Sequence, residues 1–285
     1  MANLKQLRRR IRSVQNTAKI TKAMQMIAAS KMRRAQQLTL AGRPYAEKLT
    51  EVLSDLAAQP VEMDEIHPLL KRREINRVEI IHITPDRGLC GGLPSNVNRV
   101  AGKFILDQKD QVTAVAVGRK GRDFLVRSGL NLRAVFTDLG DRPSLLDVLP
   151  VARLVMDDYI NGEVDQVMIT YTEFVNTVVQ RPIIHQLLPL EAARMDSGQA
   201  VGYVYEPDSV EVLSSLLPRF VEMEIYHSVL ESVASEQSAR MVAMRNATES
   251  ANDMIDALTL TMNKVRQEAI TRDLLDIVGG VAALE

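Results

Sequence analysis

Residues 220–269 read FVEMEIYHSVLESVASEQSARMVAMRNATESANDMIDALTLTMNKVRQEA, and the spacing of their apolar side chains decides the fold. One seam runs through Phe220, Met223, His227, Leu230, Ala234, Gln237, Met241, Met244, Thr248, Ala251, Ile255, Leu258, Met262, Val265 and Ala269 in alternating steps of three and four. That alternation is the heptad of a coiled coil, whose period of 3.5 falls below the helix's own 3.6 and requires left-handed supercoiling against a partner. No Pro follows Pro218 and no Gly stands between Gly202 and Gly279, so about sixty residues can stay helical, a rod of roughly 90 Å.

The partner is at the other end of the chain. Leu4, Leu7, Ile11, Val14 and Ala18 form a second heptad stripe, with no Gly before Gly42. Pro44 is expected to kink this helix or mark a join, because proline removes an amide donor and clashes with the preceding turn. The two ends should form one antiparallel coiled coil. Pairing residues whose numbers sum to 269 sets Leu7 beside Met262, Ile11 beside Leu258 and Ala18 beside Ala251. A slip of one or two residues would turn a stripe to solvent, whereas a slip of seven preserves both seams. The spacing therefore leaves the register open by one heptad.

Between the helices the pattern changes. Short β-rich runs near Arg77–Thr84, Val112–Val117, Ala134–Phe136, Gln166–Tyr171 and Pro182–Leu187 alternate with helical stretches near Ser95–Asp107, Lys120–Ser128 and Ser144–Ile160. The expected class is α/β plus a long α-helical antiparallel coiled coil, with a Rossmann-like domain inserted between the terminal helices. Its expected parts are residues 1–58, 75–195 and 208–285.

Composition agrees with helices packed through aliphatic and thioether groups: aromatic residues make up 4%, Trp is absent and Met numbers 13. The net charge of -1 hides a segregation, because Met1 to Ala46 contains no Asp or Glu while carrying Lys5, Arg8, Arg9, Arg10, Arg12, Lys19, Lys22, Lys31, Arg33, Arg34 and Arg43. Such a start also suits a transit peptide, but the heptad pattern runs on past any cleavage point. A nucleic-acid face would interleave aromatic residues, and none stand between Lys5 and Arg34. An acidic protein partner suits the stripe better.

Few residues suggest catalysis. Asp86-Arg87-Gly88-Leu89-Cys90-Gly91-Gly92 sits between a strand and a helix, where a phosphate loop would be, yet it lacks both G-x-x-x-x-G-K-[ST] and G-x-G-x-x-G. It reads as a tight turn letting helix approach strand. Cys90, the single cysteine, excludes an internal disulfide and has no nearby His in sequence, so it reads as a small apolar side chain. His67, His82, His185 and His227 show no metal-ligand spacing.

Ile20-Thr21-Lys22-Ala23-Met24-Gln25-Met26-Ile27-Ala28-Ala29-Ser30-Lys31-Met32 closely resembles the N-terminal helix of the gamma subunits of F-type ATP synthases, in their bacterial form. The Asp86 to Gly92 turn, Tyr205-Glu206-Pro207-Asp208, Met241 to Thr248 and Asn263 to Thr271 resemble that family in the same order along the whole chain. Asp273 and Gly280-Val281 depart from its terminal signature, where Glu and Gly-Ala are usual.

The resemblance implies a non-catalytic rotor shaft that couples ion translocation to ATP synthesis or hydrolysis, with catalysis in the beta subunit and no cofactor or metal here. Implied partners are the alpha and beta subunits, epsilon and the membrane c-ring, with no nucleic acid and no membrane insertion. The implied place is the cytoplasmic face of a bacterial cell membrane, peripherally bound. By match to the family, Lys22, Met24, Arg266, Gln267 and Thr271 contact beta, the first two near the other three. Tyr205 and Glu206 match the foot on the c-ring and epsilon. Past Ala269 the register leaves no N-terminal partner, so Ile270, Leu274, Leu275, Ile277 and Val278 form a tip expected to sit in an apolar sleeve supplied by the alpha–beta ring.

Overall fold

The computed structural model describes residues 4–57, 67–108, 111–190 and 209–282. The expected foot residues Tyr205 and Glu206, and the expected boundaries at 58, 195 and 208, lie outside them. The chain divides into two compact units, residues 1–28 with 241–285 and residues 29–240. Two long helices, α1 (Leu4–Ala57) and α5 (Ser209–Ala282), contribute to both.

In the first unit, α1 buries Leu7, Ala18, Thr21 and Ala28, while Ile11 and Val14 are half-buried. On α5, Met244 and Ala251 are buried and Ile255, Leu258, Met262 and Val265 half-buried, so the observed burial follows the seam. Thr21 and Thr248 share a hydroxyl hydrogen bond of 2.7 Å, and their numbers sum to 269. A slip of seven would set Thr21 against Met241 or Ile255, neither of which offers a side-chain hydrogen-bonding partner. This polar pair selects one register from those the apolar seam tolerates.

The second unit keeps the same register in its own helices: Ala35 clusters with Val233 and Ala234, and a Cβ placed on Gly42 would lie 3.7 Å from the His227 ring. Pro44 neither breaks nor ends α1, which runs from Leu4 to Ala57. The sequence expectation of a join is corrected to a proline inside a continuous helix. Contacts on both sides of it, Gly42 with His227 and Leu49 in the main core, hold the helix despite one missing amide donor.

The same unit contains a sheet of β1 (Arg77–Ile83), β2 (Gln111–Val117), β3 (Asn131–Phe136), β4 (Gln166–Phe174) and β5 (Gln180–Leu188) in the order β3-β2-β1-β4-β5. All neighbours run parallel except β4 and β5. Helices α2 (Leu93–Asp107) and α3 (Arg119–Arg127) cover one face through Ile80, Ala114, Ala116, Ala101 and Leu125. The other face packs Ile81, Ile83, Val115 and Ile169 on α4 (Leu145–Ile160) and on Leu213, Leu217, Val221 and Ile225 of α5. Central β1 is buried on both faces from Val78 onward, as parallel strands between helical layers are. α4 begins in a capping box, Ser144 with Asp147, whose carboxylate accepts from the Ser144 amide at 2.8 Å.

Candidate functional site: the crevice and the shaft surface

In an open α/β sheet a ligand would enter beyond the carboxyl ends of the strands. Here that crevice is closed. The Asp86 carboxylate, after β1, accepts the Arg119 amide at 2.9 Å through Oδ1 and the Asp138 amide at 3.0 Å through Oδ2. These two bonds tie the loops after β1, β2 and β3 to one another across the strand ends. Val229, Ser232, Val233 and Glu236 of α5 line a cavity beside these loops, which has about 40 Å³. A nucleotide pocket needs roughly 300 Å³ or more, whereas one water occupies about 30 Å³ of liquid. Crystals soaked with adenine or nicotinamide nucleotides should show no ligand density beyond Gly88 to Gly92. Ordered pyrophosphate at that turn would contradict this closure.

The Asp86 to Gly92 turn is tight, with left-handed backbone at Leu89 (φ 64) and Gly91 (φ 62). It leads into α2, whose Ala101 packs with Ile80 of β1, while a Cβ on Gly88 or Gly91 would meet nothing within 4 Å. The tightest glycine approaches occur at Gly118 and Gly121, where a Cβ would lie 2.0 Å and 2.7 Å from its nearest neighbour. Cys90 is buried with its thiol directed at the Arg87 carbonyl, 3.7 Å away. Burial, followed by the Glu236 charge, raises its pKa, which disfavours a nucleophilic thiolate. His67 accepts the Leu69 amide at 3.2 Å, and His82 is held neutral by complete burial, its pKa lowered to about 4. No group of three potential metal ligands occurs among the described residues.

The first unit offers a different kind of surface. Lys22 and Met26 are exposed and Met24 is half-buried. An open groove of about 670 Å³ is lined by Gln15, Ala18, Lys19, Lys22, Ala23 and Met26 of α1 and by Thr248, Asn252 and Ile255 of α5. Lysine ammonium groups border an apolar floor, a combination that suits an acidic amphipathic element. Arg266, Gln267 and Thr271 are also exposed, and the Thr271 hydroxyl donates to the Gln267 carbonyl at 3.0 Å.

These residues do not form one cluster with Lys22. The register set by Thr21 and Thr248 makes Lys22 level with Ala247, about nineteen residues or roughly 28 Å along the helix from Arg266. The expected proximity is corrected to two separate levels, because antiparallel pairing carries the helices in opposite directions from any shared point. Ile270, Leu274, Leu275, Ile277 and Val278 are 53–66% exposed. No helix among the described residues is long and apolar enough to cross a membrane.

A family model described as ATP synthase matches residues 3–284. An ATP synthase gamma chain from Dehalococcoides mccartyi is 60% identical over 284 residues, covering 100% of both chains. One from Chloroflexus aurantiacus is 50% identical over 288 residues, covering 100% of this chain and 99% of that one. Among solved structures, the chain resembles one from the central stalk and c-ring of the Tetrahymena thermophila mitochondrial ATP synthase, with TM-score 0.62 and 26% identity, covering 80% of this chain and 99% of that one. The fold also recurs in a Euglena gracilis mitochondrial ATP synthase, with TM-score 0.68 and 19% identity, covering 99% of this chain and 94% of that one. Together with the paired helices and inserted sheet, the full-length match establishes that this chain belongs to the ATP synthase gamma chain family.

Proposed function

We propose that this chain is the central rotor shaft of an F-type ATP synthase, carrying torque between a membrane c-ring and a ring of alpha and beta subunits. The carrying observation is the register. It pairs the two helices to their seams and leaves the residues of α5 beyond Ala269 as an exposed apolar tip. Ile270, Leu274, Leu275, Ile277 and Val278 suit a bearing, since apolar contacts are non-directional and let an enclosed helix turn. Catalysis belongs to beta, and this chain acts through differential contact with beta in its successive states. Tyr205 and Glu206 are assigned to the foot on the c-ring beside epsilon by sequence match alone. The chain sits peripherally, on the cytoplasmic face of the cell membrane.

Lys22 and Met24 face a carboxylate-rich lever of beta at one level, while Arg266, Gln267 and Thr271 meet beta at another. Met24→Lys tests the first contact, because it adds a cation beside Lys22 and so favours one rotary position. A new ion pair at about 4 Å is worth up to roughly 4 kcal/mol at an effective dielectric of 20 before desolvation, enough to slow a step severely. Ions pumped per ATP hydrolysed in membrane vesicles should fall more than the amount of assembled complex. An unchanged ratio would remove Met24 from the contact.

A further inference from the structure

The loop between β3 and α4 carries Asp141, whose carboxylate reaches both long helices within the second unit. Its Oδ2 accepts from Lys31 Nζ of α1 at 2.6 Å, and its Oδ1 accepts from Gln237 Nε2 of α5 at 3.0 Å. Gln237 is only 1% exposed, so little water can replace that bond. Lys31 and Asp141 are themselves partly exposed, and the value of their contact is geometric more than energetic.

The loop is anchored in turn. Asp86 accepts the Asp138 amide, and Arg119 donates to Asp138 Oδ2 at 2.6 Å. Arg240 of α5 adds a second tie, donating to the Gly88 carbonyl at 3.1 Å and to Glu236 Oε1 at 2.6 Å. The loops after β1, β2 and β3 are thereby linked to one another and to both helices. Near this height the seam sets Ala35 against Val233 and Ala234, apolar contacts with no directional preference. Hydrogen bonds do fix direction, weakening steeply when bent.

We propose that Asp141 is a positioning residue for torque transmission, a carboxylate clamp that makes α1 and α5 turn with the sheet as one body. The proposal rests on the rotor reading. Its test compares ATP hydrolysis and ion pumping in membrane vesicles carrying the assembled complex, for wild type, Asp141→Ala and the exchanged pair Lys31→Asp with Asp141→Lys. The alanine variant should assemble and hydrolyse ATP as wild type does while ions pumped per ATP fall about threefold, within the range expected of a coupling contact. The exchanged pair should recover most of the ratio, since it rebuilds the ion pair with its polarity reversed and the Gln237 amide can turn to present its oxygen.

An unchanged ratio in the alanine variant would overturn the clamp. So would a fall in pumping that only tracks lost assembly, or an exchanged pair no better than alanine. Should the alanine variant fail to assemble, Asp141→Asn keeps the Gln237 contact, loses the charge toward Lys31, and should show a smaller fall in the same ratio. No fall there would also overturn the clamp. Absence of pumping in wild-type vesicles that hydrolyse ATP would instead strike the rotor reading itself.

Discussion

Gly118→Ala should remove a large share of the chain's folding stability. Gly118 joins β2 to α3 with φ 102 and ψ 146, a backbone region that side chains rarely adopt, costing about 1–3 kcal/mol. The larger effect is steric. A Cβ there would lie 2.0 Å from the Thr84 carbonyl oxygen and 2.8 Å from its carbon, and both are backbone atoms at the end of central β1. Neither side can yield cheaply: the Thr84 amide donates to Val117 O at 2.8 Å, the Gly118 amide donates to Phe136 O at 2.8 Å, and the Thr84 hydroxyl accepts the Gly121 amide at 2.7 Å. The loss should exceed about 4 kcal/mol, against a total of about 5–15 kcal/mol for a typical domain. Denaturant midpoints of the purified chain measure it. A variant within about 1 kcal/mol of wild type would show that the β2–α3 junction moves aside, contrary to this packing.

The second large effect concerns Glu79, which is 0% exposed in β1 and has neither carboxylate oxygen hydrogen-bonded among the described residues. Burial chiefly, then the Asp158 charge, raises its pKa to about 8, against the opposing Arg133 guanidinium. Arg133 is committed to Asp158 by two bonds of 2.8 Å, which limits its help. A carboxyl with a raised folded pKa binds more protons folded than unfolded. Stability should therefore fall as pH rises from about 4.5 to about 8 and level off above, with a span of about 5 kcal/mol. Glu79→Gln removes the titration while keeping the shape, so its stability should lack this part of the slope and exceed wild type near pH 9. Parallel stability profiles for the two proteins between pH 5 and 9 would refute the assignment.

Much of this architecture was legible because heptads repeat. The seam of residues 220–269 and the stripe from Leu4 announce two helices that need each other, and matching the stripes fixes their pairing to within one heptad. The strands were legible as apolar runs, though β3 begins at Asn131, three residues before the expected Ala134, since Asn131-Leu132-Arg133 alternates as a half-exposed strand does. The exposed tip also followed from counting, as did the basic face. The clamp did not, since Lys31, Asp141 and Gln237 are far apart in sequence and Lys31 and Asp141 each read alone as ordinary surface residues. Gln237 had a signal: it is an amide on a mostly apolar seam, and a buried amide needs a partner.

The sequence by itself determined the coiled coil, the α/β insertion and the family, because periodicity and local motifs are properties of neighbours along the chain. Tertiary structure alone decided the heptad, since a slip of seven preserves both apolar seams and the meeting of Thr21 with Thr248 distinguishes the registers. It also decided the second face of α5. Ser232, Ser235 and Ser238 look like solvent positions, yet all three are buried. Ser232 accepts the Thr172 amide at 3.3 Å, Ser235 donates to the Thr172 carbonyl at 3.0 Å, and Ser238 donates to the Thr177 carbonyl at 2.9 Å. β4 is paired with β1 only as far as Thr170, so the Thr172 backbone groups beyond it need partners from elsewhere. A polar residue satisfied by a strand sixty positions away leaves no periodic trace, which is why that helix face emerges only when the sheet is laid against it.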